Sequence, residues 1–189
     1  MKNIFGKSKK ENDEDKKLAE LNHPERLAVL PYCDSGRGID VGCGNRKSSD
    51  NCIGVDIVAN GELGKIGCVE NKISQADICT SGDDLNMFQD NELDFVIARH
   101  NLEHYVDVIK TLNEWHRVLK PSGVMAVILP DEDGLNRVGK RGIDLDATHE
   151  HSFTQDSFKR LINLIGGFEI QKMEPVVENW SFICVCKKL

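Results

Sequence analysis

Five short apolar runs punctuate the first two thirds of the chain: Ile39 and Val41 around Asp40, then Ile53 to Ile57, Ile73 to Ile78, Leu93 to Ala98 and Val124 to Leu129. Each reads as a short strand. After the fourth run, apolar residues recur at 102, 105, 106, 109, 112, 115 and 119, the spacing of one helix face. That helix is expected to stop at Lys120-Pro121-Ser122-Gly123, a basic last turn followed by Pro and Gly. Thr154 can cap a second helix carrying Phe158, Leu161, Ile162 and Ile165, which Gly166 and Gly167 would end. Phe168 to Met173 and Trp180 to Cys186 read as two closing strands joined around Pro175. Strands alternating with helices predict an α/β fold with a doubly wound, mostly parallel sheet. With the closing pair the count reaches seven strands, the last two forming a C-terminal antiparallel hairpin.

The remaining segments are less periodic. Residues 1–17 mix lysines and acids with almost no apolar positions, so a disordered or frayed tail is expected ahead of a single domain over 18–189. A short helix is expected near 24–30, with Pro24 in its first turn. Residues 58–72 hold Gly61, Gly64 and Gly67 and read as a loop or degenerate helix. Leu85, Met87 and Phe88 suggest a short helix or turn over the core. Residues 131–152 form a long polar connection, and loops of that length in compact domains tend to serve function.

Composition narrows the options. At 189 residues one core is expected. A net charge of −7 disfavours sequence-independent binding to nucleic-acid backbones, which needs a basic face. No apolar run approaches the ~20 residues of a membrane span, and no apolar segment follows the amino-terminal lysines as a secretory signal requires. A cytoplasmic protein without a membrane partner is expected by default. The seven cysteines are scattered, with no Cys-x-x-Cys pair, so they read as reduced, small apolar residues, not as zinc knuckles.

The candidate chemistry sits where strands end. Gly42 and Gly44 break the first strand, and glycines there let the backbone turn sharply against a ligand. The second strand ends in Asp56, whose carboxylate can accept from two ribose hydroxyls. A pyrophosphate turn asks for Gly-x-Gly-x-x-Gly with its acid about 20 residues on. Here Lys47 stands at the third glycine position and Asp56 lies 14 residues after Gly42. Asp40, just before the turn, would repel a pyrophosphate and suit an ammonium group. The order Asp, Gly-Cys-Gly, then a strand ending in Asp resembles the cofactor site of class I S-adenosylmethionine-dependent methyltransferases, in the small type 11-like form. The segment from Phe95 to Pro130 is similar to later motifs of that family: an Asp-Phe-Val-Ile strand, a Leu-Glu-His helix start, and Arg117-Val-Leu-Lys-Pro-Ser-Gly123, where the family carries Gly in place of Ser122. The resemblance spans about residues 37–130 and implies a Rossmann-like sheet with S-adenosylmethionine as cofactor. It implies a donor site around Asp40, Gly42, Cys43, Gly44, Lys47, Asp56 and Ile57. Asp77 and Ile78 would receive the adenine, with Arg99, His100, Leu102 and His104 beside them.

Parallel sheets bind ligands beyond the carboxyl ends of their strands, and Asp40, Asp56, Asp77, Arg99 to His104 and Asp131 are all expected there. An oxygen or nitrogen acceptor benefits from a base near neutral pH, which suits histidine. His104, His149 and His151 are the candidates for direct catalysis. Histidines two apart could also ligate a metal, but spacing identifies no further ligands, so none is expected. The reading is methyl transfer to a small-molecule or sugar-type acceptor. A non-catalytic S-adenosylmethionine-binding protein is the alternative, and a nicotinamide-dependent oxidoreductase is disfavoured by Lys47 and the short spacing to Asp56.

Overall fold

The computed structural model describes residues 19–65 and 69–189. The charged segment 1–17 and part of the expected 58–72 loop lie outside the described residues. The architecture is a seven-stranded sheet in the order β3-β2-β1-β4-β5-β7-β6. The strands are β1 (Gly38–Val41), β2 (Cys52–Asp56), β3 (Ile78–Cys79), β4 (Leu93–Arg99), β5 (Leu119–Pro130), β6 (Phe168–Val177) and β7 (Ser181–Lys188). Strands β1 to β5 run parallel, and β7 joins β5 antiparallel with β6 outside it. This is the doubly wound fold with a terminal hairpin that the apolar runs predict.

Both faces of the central strands are covered, which is why those strands read as continuous apolar runs. Val96 and Ala98 of β4 face a core with Trp115, Phe158 and Phe182. Their neighbours Phe95 and Ile97 face a second core with Val29, Cys33 and Ile183. The first is roofed by α2 (Val108–Val118) and α4 (Gln155–Ile165), the second by α1 (Pro24–Val29), and the short α3 (Glu132–Arg137) follows β5. Thr154 caps α4 as expected: its side chain accepts from the Ser157 amide, and Ser157 returns a bond to the Thr154 amide. The six described cysteines are free thiols. Among the described residues, no helix is long and apolar enough to cross a membrane.

Four local expectations change. The helix expected from Leu102 begins at Val108, because Asp107 accepts from the Lys110 amide and caps it there. Leu102–His104 form a separate 3-10 turn, so His100 and His104 do not share a helix face. The helix also stops earlier, at Val118, and Leu119 already pairs with Leu93 as the first residue of β5. The third strand is two residues long, not 73–78, and Ile73 makes only an isolated bridge to Leu63. Asp77 therefore precedes β3 instead of ending it. Finally, the hairpin turns at 178–180, while Pro175 lies within β6 opposite Phe182. An outer strand tolerates proline because its missing N–H faces no ladder partner.

Ser122 has a φ of 68°, inside a bulge where β5 slips against β4. That conformation explains the glycine that resembling sequences carry. Ser122→Gly is expected to raise the unfolding free energy by about 0.5–1 kcal/mol, the left-handed penalty less glycine's extra chain entropy. Urea unfolding reads this directly, and a loss of stability would mean the serine side chain outweighs the strain.

Candidate active site

The turn after β1 is built from backbone bonds to β2. The Gly42 and Cys43 amides both donate to the Val55 carbonyl, at 2.8 and 3.2 Å. The Gly44 amide donates to Asp56 Oδ2 at 2.8 Å, and the Val58 amide to Asp56 Oδ1 at 2.9 Å. One carboxylate thus closes the turn and starts the loop that follows β2. Gly42 has a φ of 69°, and a side chain there would meet the Asn101 amide nitrogen at 2.2 Å. The two strand ends are this close because residue 42 carries no side chain.

Beyond these ends lies a cavity of about 1010 Å³. Of the expected donor residues, Gly42, Cys43, Gly44, Asp56, Ile57, Arg99, His100 and His104 line it. His149 of the expected acceptor side lines it too, on a wall formed by residues 145–150. The arrangement groups the carboxyl ends of β1, β2, β4 and β5 around one space, as the topology requires.

Other expected residues take different places. Asp40 is 1% exposed and lies beneath the turn, where Oδ2 accepts from the Ser48 amide at 2.5 Å. Burial pushes its carboxyl up, against the pull of Arg99 and Ser48. Its work is to hold the 42–48 loop. Asp77 accepts from the Gly54 amide at 2.7 Å and from Lys47 Nζ at 2.9 Å. Burial opposes ionisation there, but these two donors hold the carboxyl below the usual range. Lys47 and Asp77 therefore bond each other at the side of β2 and Ile78 packs against the larger core, all three away from the cavity wall, and β3 begins five residues later than expected. Leu102 is fully buried in the larger core. His151 leans on Phe153 and bonds the Val106 carbonyl outside the cavity. Of the carboxylates at 40, 56 and 77, Asp56 alone reaches the cavity.

Several wall residues carried no sequence signal. Glu25 of α1 is buried, accepts the Ser181 hydroxyl at 2.6 Å and meets His100 Nε2 at 2.8 Å. Burial works against its charge, but His100 and Ser181 bring its carboxyl down to about 2. Burial likewise disfavours a charged His100, yet Glu103 and Glu25 on its two sides hold it up at about 9. His100 itself has a φ of 49° and Nδ1 lies 3.5 Å from Glu103 Oε1. Asn101 lines the cavity with an Oδ1 that no donor reaches. Only its position after a strand could have suggested this role, and Glu25 lies 75 residues from its partner.

The methyltransferase domain profile matches residues 14–171, well over half of the chain. The chain belongs to this methyltransferase family. With its seven-stranded sheet it is a class I S-adenosylmethionine-dependent methyltransferase by family and fold, and S-adenosylmethionine is the family's cofactor. An uncharacterized protein of Methanocaldococcus jannaschii is 27% identical over 175 residues, covering 90% of this chain and 78% of that protein. Among solved structures, a Haloferax volcanii complex of the Trm112 methyltransferase activator with a methyltransferase superposes at a TM-score of 0.67, with 13% identity and 93% and 94% coverage. A Burkholderia thailandensis 1,6-didemethyltoxoflavin-N1-methyltransferase, bound to that compound and S-adenosylhomocysteine, superposes at 0.63 with 15% identity and 94% and 83% coverage. At these identities the structures share a fold with this methyltransferase.

The Gly42 contact yields a paired test. Gly42→Ala is expected to lose about 2–4 kcal/mol, from the left-handed backbone and the collision with Asn101. Gly61→Ala, with a φ of +81° but open space around it, should lose only about 1–2 kcal/mol. Equal losses in urea unfolding would show that the approach to Asn101 is not tight.

Proposed function

We propose that this chain transfers a methyl group from S-adenosylmethionine to a small-molecule or sugar-type acceptor within the 1010 Å³ cavity. The observation that carries the donor half is the state of the glycine turn. Its amides at 42, 43 and 44 are spent on Val55 and Asp56, so none is left to receive a phosphate. A carboxylate stands at the same point. This favours a cationic nucleoside over a dinucleotide, whose pyrophosphate needs free amides at a helix terminus.

Asp56 accepts one amide on each oxygen and keeps lone pairs for ribose hydroxyls. Ile57, 70% exposed on the cavity, offers the purine an apolar face. The methionine end lies toward Gly42 and Asn101, whose unpartnered Oδ1 can accept from its ammonium group. Arg99 donates to the Arg46 carbonyl at 2.9 Å, while its Nε is buried without a partner, and it suits the methionine carboxylate. The acceptor then enters from the side of His104 and the 145–150 wall.

The reaction needs alignment more than covalent help. An acceptor lone pair forms the new bond to the methyl carbon as the carbon–sulfur bond breaks. That electron pair stays on sulfur, which leaves as a neutral thioether, and the acceptor's proton departs to a base or to water. Alignment of the three atoms within the cavity supplies most of the rate. The acceptor's identity rests on the His104–His149 wall, whose polar groups suit a hydroxylated or amino compound.

Thermal shift and calorimetry should show binding of S-adenosylmethionine and none of NADH; the reverse preference would sink the proposal. Asp56→Ala is expected to weaken donor binding about 10–100-fold, the loss of charged hydrogen bonds to the ribose. Unchanged affinity would remove Asp56 from the donor site. His149→Ala should keep donor affinity and lower transfer across an acceptor panel; lost donor binding would move His149 to the donor side. Firm donor binding with no S-adenosylhomocysteine formed with any acceptor would instead mark a non-catalytic binder.

A further inference from the structure

Three ligand-type side chains meet where the acceptor is expected, and we propose that Glu103, His104 and His149 hold a divalent cation of the zinc, cobalt or manganese kind. One oxygen of Glu103 and one ring nitrogen from each histidine lie within 4.8 Å of one another. A tetrahedral cation bound at ~2.1 Å to each sets the three donor atoms ~3.4 Å apart, so the widest pair has to close by up to about 1.4 Å on binding. Two imidazoles and a carboxylate form a donor set that such cations favour, and it leaves coordination positions open.

The second observation is independent of the cluster's distances. Glu103 is 0% exposed, and neither carboxylate oxygen has a hydrogen bond. Its nearest partners are His100 Nδ1 at 3.5 Å, whose single positive charge is shared with Glu25, and His149 Nε2 at 3.9 Å, both beyond a good bond. A buried carboxylate left this way is costly unless a cation or a proton satisfies it.

The surroundings prepare both histidines as ligands. His149 Nδ1 lies 2.7 Å from the Gly142 carbonyl, so it donates there and leaves Nε2 as a bare lone pair toward Glu103. His104 Nδ1 lies 3.1 Å from the Thr148 carbonyl and 2.9 Å from the Thr148 hydroxyl oxygen. That hydroxyl gives its own hydrogen to Asp146 at 2.7 Å, so His104 Nδ1 donates and Nε2 is its open nitrogen. Outer partners of this sort set the tautomer of metal-ligating histidines. In the neutral state, His149 Nε2 and the Glu103 carboxylate are two acceptors facing each other, and a cation between them turns that mismatch into attraction. The wall is anchored for this: the Glu103 carbonyl accepts the amides of Glu150 and His151 at 2.9 and 3.1 Å.

The open positions face the cavity and suit an oxygen of the acceptor, a hydroxyl or carboxylate. This last step rests on the acceptor side argued above. The bound hydroxyl would lose its proton to water, and its lone pair would then form the bond to the methyl carbon as the carbon–sulfur pair passes to sulfur.

The test uses the purified full chain after treatment with EDTA, titrated with cobalt(II). One equivalent is expected to bind with visible bands of nitrogen and oxygen coordination, to raise the unfolding midpoint and to be displaced by zinc. His149→Ala and Glu103→Gln should weaken it at least about tenfold, while His151→Ala, outside the cluster, should bind as the wild type does. Thermal unfolding of each cation-free variant checks that it is folded. Absence of bands and of a midpoint shift in the wild type would overturn the site. So would cobalt affinity that survives His149→Ala, since the thiols would then be the ligands. S-Adenosylmethionine affinity of the EDTA-treated wild type is measured alongside. Donor binding without cation binding would leave the methyl-transfer reading standing and remove the cation, and the opposite result would do the reverse.

Discussion

The cavity depends on how the chain leaves β1. Two amides of the Gly42–Gly44 turn converge on one carbonyl, and the third is taken by the Asp56 carboxylate. This clamps the ends of β1 and β2 to each other, aims the carboxylate outward and leaves a negative charge where related folds present free amides. A site of that sign repels phosphate and attracts a cation. The preference for a sulfonium nucleoside follows from the same few bonds that close the turn.

The opposite wall is organised by buried charge. Glu25, His100 and Glu103 form a line from α1 across the end of β4 to the 3-10 turn. His100 carries the positive charge between two carboxylates. Pairs like this add little net stability, because desolvation offsets much of the attraction, but each is costly to break. They therefore specify geometry. The line ties α1 to the strand end and holds Glu103 against the loop that brings in His149. It also explains why the sheet's second core sits beneath α1, with Ser181 of β7 bonded to the same glutamate.

The strands were legible because a strand covered on both faces is apolar at every position, and Phe95–Ala98 of β4 and Met125–Leu129 of β5 are such stretches. Asp56 was legible because it ends an apolar run, and the glycine turn because nothing else allows that bend. Asp77 stands before β3 and not at its end, since the half-polar segment 73–78 lies outside the sheet except at its last residue. There the Gly54 amide and Lys47 compete successfully for the carboxylate. Leu102 packs its side chain into the core, since a motif position does not say whether a side chain faces a ligand or the core. His151 and His149 share a parity in sequence, but two amides donating to the Glu103 carbonyl turn the backbone between them, and only one ring reaches the cavity. Glu25 and Asn101 were invisible because their partners are distant in sequence.

Periodicity and glycine placement were thus enough to establish the order of strands and helices and the acid at the end of the second strand, because each follows from the local period of burial or from steric limits on a few residues; the family was read from the resemblance of motifs. Which charges face each other was settled only by folding. The pairing of Glu25 with His100, the approach of His149 to Glu103 and the meeting of His104 with His149 are contacts between segments tens of residues apart. Their energies depend on distance and burial, and neither quantity exists until the sheet has brought those segments together.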